Sequence, residues 1–156
     1  EAKVTILKLL SELDPSVSEV PQLGKLCFKI DDVVAFCQEK GIAFYDTSTA
    51  IRRLKDNASD KFLEVVESTD ILALVARLPQ LRAVVTTGEK ATETICSYLH
   101  ITEVPHVNSF VSIPNVKTAD GNLLVLYRLP SSSRAYPLSF SKKVEAYKAM
   151  FDHFFI

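Results

Sequence analysis

The sequence predicts a single α/β domain, and three observations carry that prediction. Its 156 residues are 47% hydrophobic, enough to enclose one continuous core and too few for two ordinary domains. Ala83 to Thr87, Gly88 and the periodic Ala91 to Leu99 read in order as strand, tight turn and helix, the grammar of a parallel sheet. Ile42 to Tyr45 is a further short apolar run, and it breaks off at Asp46-Thr47-Ser48-Thr49 as a buried strand does where it leaves a core.

The remaining elements follow from local pattern. Lys3 to Leu10 is apolar with lysine interruptions, a helix or a strand, and Asp14 to Lys25 turns to Pro, Ser and Gly as a connector. Ile30, Val33, Val34, Phe36 and Cys37 recur at helical spacing. Asp31 and Asp32 suit the start of that helix and Gly41 its stop after Lys40. Thr69-Asp70 announces another helix through Ile71, Leu72, Leu74, Val75 and Leu78. Val107 to Ile113 and Leu123 to Leu129 read as two strands, antiparallel across a turn-rich segment whose strongest signal is Asp120-Gly121. A last helix begins near Ser141 with Val144, Tyr147, Phe151 and Phe154 as its apolar stripe and Ser139 or Ser141 as cap.

Composition narrows the function. With 18 basic and 19 acidic residues the formal charge is -1, so a nucleic-acid surface has to be a local patch. Arg52, Arg53, Lys55 and Lys61 are the residues able to supply one, or they form a solvated polar face. Cys27, Cys37 and Cys96 are widely spaced without a CxxC pair, which points to reduced structural thiols. His100, His106 and His153 show no metal-ligand spacing. No apolar run approaches the ~18 residues of a membrane span, and the opening residues lack a signal-peptide pattern, so the expectation is a soluble cytoplasmic protein.

Three places attract attention as sites. Asp46, with Thr47 after it, is expected at the C-terminal end of a strand, where open α/β sheets bind ligands. Its carboxylate suits orienting a water or accepting from a base edge, and equally suits capping its own turn. Gly88-Glu89-Lys90 offers a helix N-terminus to a phosphate with Lys90 as counter-charge, or an ordinary tight turn. Finally, the apolar strand Leu123 to Leu129 exits through Pro130, Ser131, Ser132, Ser133 and Arg134. Those hydroxyls and backbone N–H groups suit phosphate oxygens, or a turn cap with Arg134 paired to a surface acid.

The stretch from Leu123 to Tyr136 resembles the second signature motif of the uracil-DNA glycosylase superfamily, in the Pro-Ser-Ser-Ser form of its mismatch-specific thymine and uracil branch. Gly41 to Thr47 followed by Thr49 and Arg52, and Val84 to Ala91, are similar to that family's segments in the same order, so the resemblance spans roughly Ile30 to Phe151. It implies a three-layer α/β/α fold with a short, mainly parallel central sheet. It also implies a base-excision glycosylase that hydrolyses the N-glycosidic bond of uracil or a mismatched base in duplex DNA, with the base flipped out and no metal or organic cofactor.

On that resemblance Pro130, Ser131, Ser132, Ser133, Arg134, Lys90, Arg52 and Arg53 face DNA, and Arg134 contacts a phosphate or fills the vacated stack. Tyr45, Thr47 and Gly88 line the base pocket, and Asp46 is the candidate catalytic acid. The family's first motif, a Gly-rich turn with a water-activating residue, is not found: Ser11-Glu12-Leu13-Asp14-Pro15 contains no Gly. Either an N-terminal portion is missing or the protein binds DNA without cleaving it. A nucleotide- or phosphate-binding α/β protein, using Gly88 and Ser131 to Ser133 as cradles, is the other alternative.

Overall fold

The computed structural model describes residues 20–22, 25–27, 29–54 and 63–155. In chain order these form β1 (Val20–Gln22), β2 (Lys25–Cys27), α1 (Ile30–Lys40), β3 (Ser48–Arg53), β4 (Leu63–Ser68), α2 (Ile71–Ala76), β5 (Ala83–Thr87), α3 (Glu89–Tyr98), β6 (Ser109–Lys117), β7 (Leu123–Leu129) and α4 (Phe140–Phe155). The protein is thus of mixed α/β class. Asp46–Ser131 makes one compact unit, and the described residues before and after it in sequence make another.

The sheet of the Asp46–Ser131 unit has the order β5-β7-β6. β5 runs parallel to β7 from Ala83 opposite Val125 to Thr87 opposite Leu129, while β6 is antiparallel to β7 with Phe110 opposite Tyr127. Side chains alternate along a strand, so Leu124 and Leu126 share one face, and both are buried with Ile113 of β6 and Ile95 and Cys96 of α3. Ile71 and Val75 of α2 pack against the same cluster. Burying a leucine such as Leu126 contributes about 1.5–3 kcal/mol. β6 bulges: Ser112 faces Val125 but Lys117 faces Leu123, and the surplus residues include Pro114, which has no N–H to pair, and Asn115 at φ 61. The turn after it closes as Asp120-Gly121 predicts, with Gly121 at φ 82 and its N–H on the Thr118 carbonyl at 3.0 Å.

In the other unit, α1 ends where Gly41 predicts, in the left-handed region at φ 65. The Ile42 N–H donates to the Cys37 carbonyl at 2.8 Å, and Ile42 packs on Phe36, a Schellman stop with its apolar contact. α4 begins after Ser139, whose Oγ accepts from the Lys142 N–H at 3.4 Å, and it buries Ala146, Tyr147 and Met150.

Three expectations need correcting. Ile42 to Tyr45 is no buried strand: Ile42 is consumed by the helix stop, and Phe44 and Tyr45 are 61% and 69% exposed. The strand lies later, at β3, antiparallel to β4 in a separate two-stranded sheet, because β-branched Thr49 and Ile51 suit a pleated surface. Nor is the sheet mainly parallel, since of the pairings among the described residues only β5 with β7 is parallel. Within the expected connector, Val20–Gln22 and Lys25–Cys27 pair as an antiparallel hairpin. Lys3 to Leu10, Lys55 and Lys61 lie outside the described residues.

Candidate nucleic-acid interface

The one described parallel pair, β5 with β7, delivers two chain exits to the same end of the sheet, where α/β sheets bind ligands. Gly88 leaves β5 at φ 88, ψ 172, a conformation open essentially to glycine alone. Its N–H donates to the Leu129 carbonyl at 3.1 Å, and a Cβ built at Gly88 would sit 3.2 Å from Cβ of Ser131. Beneath this approach the Thr86 and Thr92 hydroxyls meet at 2.9 Å, and Thr92 also bonds the Gly88 carbonyl at 2.7 Å. The turn is therefore fixed from the buried side while its backbone faces Ser131.

The charges around it are mixed. Lys90 is exposed in the first turn of α3, but Glu89 precedes it with its carboxylate 3.9 Å from the Arg128 guanidinium. Arg128 also donates to the Pro105 carbonyl at 3.2 Å, and its Nε is buried without a hydrogen-bond partner. Burial pushes the Cys96 thiol above its ordinary value, and the positive charge of Arg128 pulls against that. An anion arriving at α3 would meet the helix dipole and Lys90 favourably and Glu89 unfavourably.

The serine-rich exit is graded in exposure. Pro130 and Ser132 are buried, Ser131 is half-buried, and Ser133 and Arg134 are exposed. Pro130 packs inward, where its ring stiffens the exit. Beyond Ser132 the chain makes a tight turn. The Ser133 carbonyl accepts from the Tyr136 N–H at 3.1 Å, and its hydroxyl accepts from the Ala135 N–H at 3.3 Å. Lys143 of α4 reaches the same Ser133 carbonyl at 2.6 Å with Nζ 5.7 Å from the Tyr136 ring centroid.

Asp46 and its neighbours lie elsewhere. Asp46 precedes β3 instead of ending a parallel strand, and its main chain is what the fold uses: the Asp46 carbonyl accepts from the Thr69 hydroxyl at 2.6 Å and the Thr47 carbonyl from the Thr69 N–H at 3.1 Å. Thr69 is 3% exposed. Next to it Asp70 caps α2 through the Ala73 N–H at 2.9 Å and accepts from the Tyr98 hydroxyl at 2.7 Å. Tyr98 ends α3 and Gly88 opens it, about 15 Å of helix apart at 1.5 Å per residue. Asp46 and Thr47 are therefore anchored to residues at the far end of α3 from the strand exits, and Tyr45 is solvent-exposed in the other unit.

Of the expected basic patch, Arg52 and Arg53 lie on β3. Arg52 sits across from Glu64 in the β3–β4 register and pairs with it at 3.3 Å, so its charge is already engaged. Arg53 occupies the end of β3 opposite Leu63. Among the described residues no group of three His, Cys, Asp or Glu could hold a metal ion, and no described helix is long and apolar enough to cross a membrane.

Sequence reading gave Lys143, Thr69 and Arg128 no role in a site. Lys143 was legible in principle, because it lies three and four residues before the buried Ala146 and Tyr147 and hence on the inner stripe of α4. Thr69 and Arg128 gave no signal beyond their place at element ends.

No protein-family model, curated protein or solved structure matches this chain.

Proposed function

We propose that the protein handles bases in DNA as a hydrolase of the uracil-DNA glycosylase type, with the exits of β5 and β7 and, next along the chain, the serine turn as the segments that meet the nucleic acid. The observation that supports this most is the approach of Gly88 to Ser131 at the C-terminal ends of two adjacent parallel strands, followed directly by the exposed Ser133 and Arg134. Serine hydroxyls and backbone N–H groups take phosphate oxygens. An arginine at such a loop either adds a phosphate contact or enters the space a flipped nucleotide leaves. In this reading water displaces a uracil-like base from the deoxyribose without a metal or organic cofactor, and the finer fold is a three-layer α/β/α arrangement in a cytoplasmic protein.

A second reading, DNA binding without cleavage, is favoured by the position of Asp46. The acid expected to activate water stands before β3, tied through its carbonyl to Thr69, and Glu89 at the strand exits faces Arg128.

The experiment is base release from fluorescent oligonucleotides carrying one uracil opposite guanine or adenine, developed with alkali, beside a binding measurement on the same duplexes. Release supports the glycosylase. Tight binding without release supports the second reading, and absence of both sinks the DNA assignment in favour of a phosphate-binding α/β protein.

A further inference from the structure

Lys143 is 4% exposed, an uncommon position for an ammonium, and two costs oppose it there. Burial strips its water, and the first turn of α4 places it at the positive end of a helix dipole. What offsets these costs is visible in its contacts. Nζ donates at 2.6 Å to the carbonyl of Ser133, the same oxygen that closes the turn by accepting from the Tyr136 N–H at 3.1 Å. It also stands 5.7 Å from the Tyr136 ring centroid. One cation thus grips the first and fourth residues of a four-residue turn, and the exposed second residue of that turn is Arg134.

We infer that Lys143 is the positioning residue of this turn, holding the backbone of Arg134 in one conformation so that its guanidinium is presented to a phosphodiester. The partner in this inference rests on the DNA reading above; the grip of Lys143 on the turn does not. A long, flexible side chain loses less freedom on binding when its backbone is already ordered, and a hydrogen bond from an ammonium is among the stronger ones available for that ordering. Ser139, capping α4 through the Lys142 N–H at 3.4 Å, fixes the helix start from which Lys143 reaches back.

The test uses the whole chain and two readouts. Backbone ¹⁵N relaxation of the free protein should give Arg134 and Ala135 order parameters of about 0.85 in the parent and below about 0.6 in Lys143→Met. Leu126 in β7 should stay unchanged, and Lys143→Arg should restore most of the order. If Lys143→Met does not fold, Lys143→Gln, with a donor on a shorter arm, carries the same comparison. Affinity for a uracil-containing duplex then closes a double-mutant cycle: Arg134→Ala and Lys143→Met should each weaken binding, and the double variant should lose no more than Arg134→Ala alone. An ordered Arg134 in a folded Lys143→Met or Lys143→Gln protein, or fully additive losses, overturns the inference. If the parent binds no duplex, the DNA reading fails by itself, and the order parameters still decide whether Lys143 sets the turn.

Discussion

A Cβ placed on Gly88 would lie 3.2 Å from Cβ of Ser131, so two chain segments leaving neighbouring parallel strands approach as closely as a missing side chain permits. Two separate costs therefore attach to any substitution. One is steric and belongs to the pair. The other is torsional and belongs to Gly88, whose φ of 88 with ψ 172 is hostile to a residue with a Cβ. Gly88→Ala is expected to lower stability by about 1–3 kcal/mol, read as a lower urea midpoint with an unchanged slope. Adding Ser131→Gly should return only the steric share; complete recovery would mean that the backbone at position 88 is unstrained.

The core of the same unit makes a contrasting prediction for two residues near each other on the sheet. Leu126 is fully buried against α3, and Leu126→Ala should cost about 2–5 kcal/mol through lost transfer energy and the cavity left behind. Phe110 stacks on Tyr127 with ring centroids 6.5 Å apart but is half exposed. Phe110→Ala should cost clearly less, close to the ~0.5–1.5 kcal/mol of an aromatic pair plus modest area. Equal losses in urea unfolding would contradict this placement of the core.

The joint between Asp70 and Tyr98 should appear in pH dependence. The Ala73 N–H, then the Tyr98 hydroxyl, hold the Asp70 carboxyl below its ordinary value, and the same contact holds the Tyr98 phenol above its own. For the depressed acid, the stabilisation is present above the unfolded carboxyl pKa and is lost as pH falls through the folded one. For the raised phenol, it is present below the unfolded phenol pKa and is lost as pH rises through the folded one. Tyr98→Phe should move the Asp70 titration, followed by carboxyl carbon shifts, upward toward the usual carboxylate range. It should also flatten the alkaline loss of melting temperature. An unmoved Asp70 titration would show that the Ala73 N–H alone sets its acidity.

How much of this was legible in the sequence depends on whether the signal was local. Gly41, Gly88 and Gly121 each announced a backbone that only special residues take, and each sits at positive φ as expected. Asp70 likewise announced a cap and provides one. Ile42 to Tyr45 misled because a short apolar run serves a helix stop as readily as a strand. Only the hydrogen bond from Ile42 to Cys37 across the left-handed Gly41 distinguishes them. That single reassignment also moved Asp46 and Thr47 from the end of an expected strand to the approach to β3. Lys143 was obscured for a different reason: a lysine in a polar first turn is normally solvated, and its role depends on a turn ten residues earlier.

Charge at the DNA surface gives the last prediction, and it separates Arg134 from Arg52. Each phosphate neutralised by a cation adds about 0.9 to the steepness with which log affinity falls against log salt on duplex DNA. Arg134 is exposed on its turn, so under the proposed function Arg134→Ala should weaken uracil-duplex binding and reduce that slope by about 1. It should leave the thermal melt nearly unchanged, because an exposed turn side chain contributes little to folding. Arg52 is held by Glu64 at 3.3 Å across the β3–β4 hairpin, so releasing it to DNA would cost the pair it already makes, and Arg52→Ala should alter neither slope nor affinity. Fluorescence anisotropy titrations on the same duplex over a range of salt concentrations measure both. A slope reduced by Arg52→Ala and untouched by Arg134→Ala would move the DNA surface from the serine turn to the hairpin.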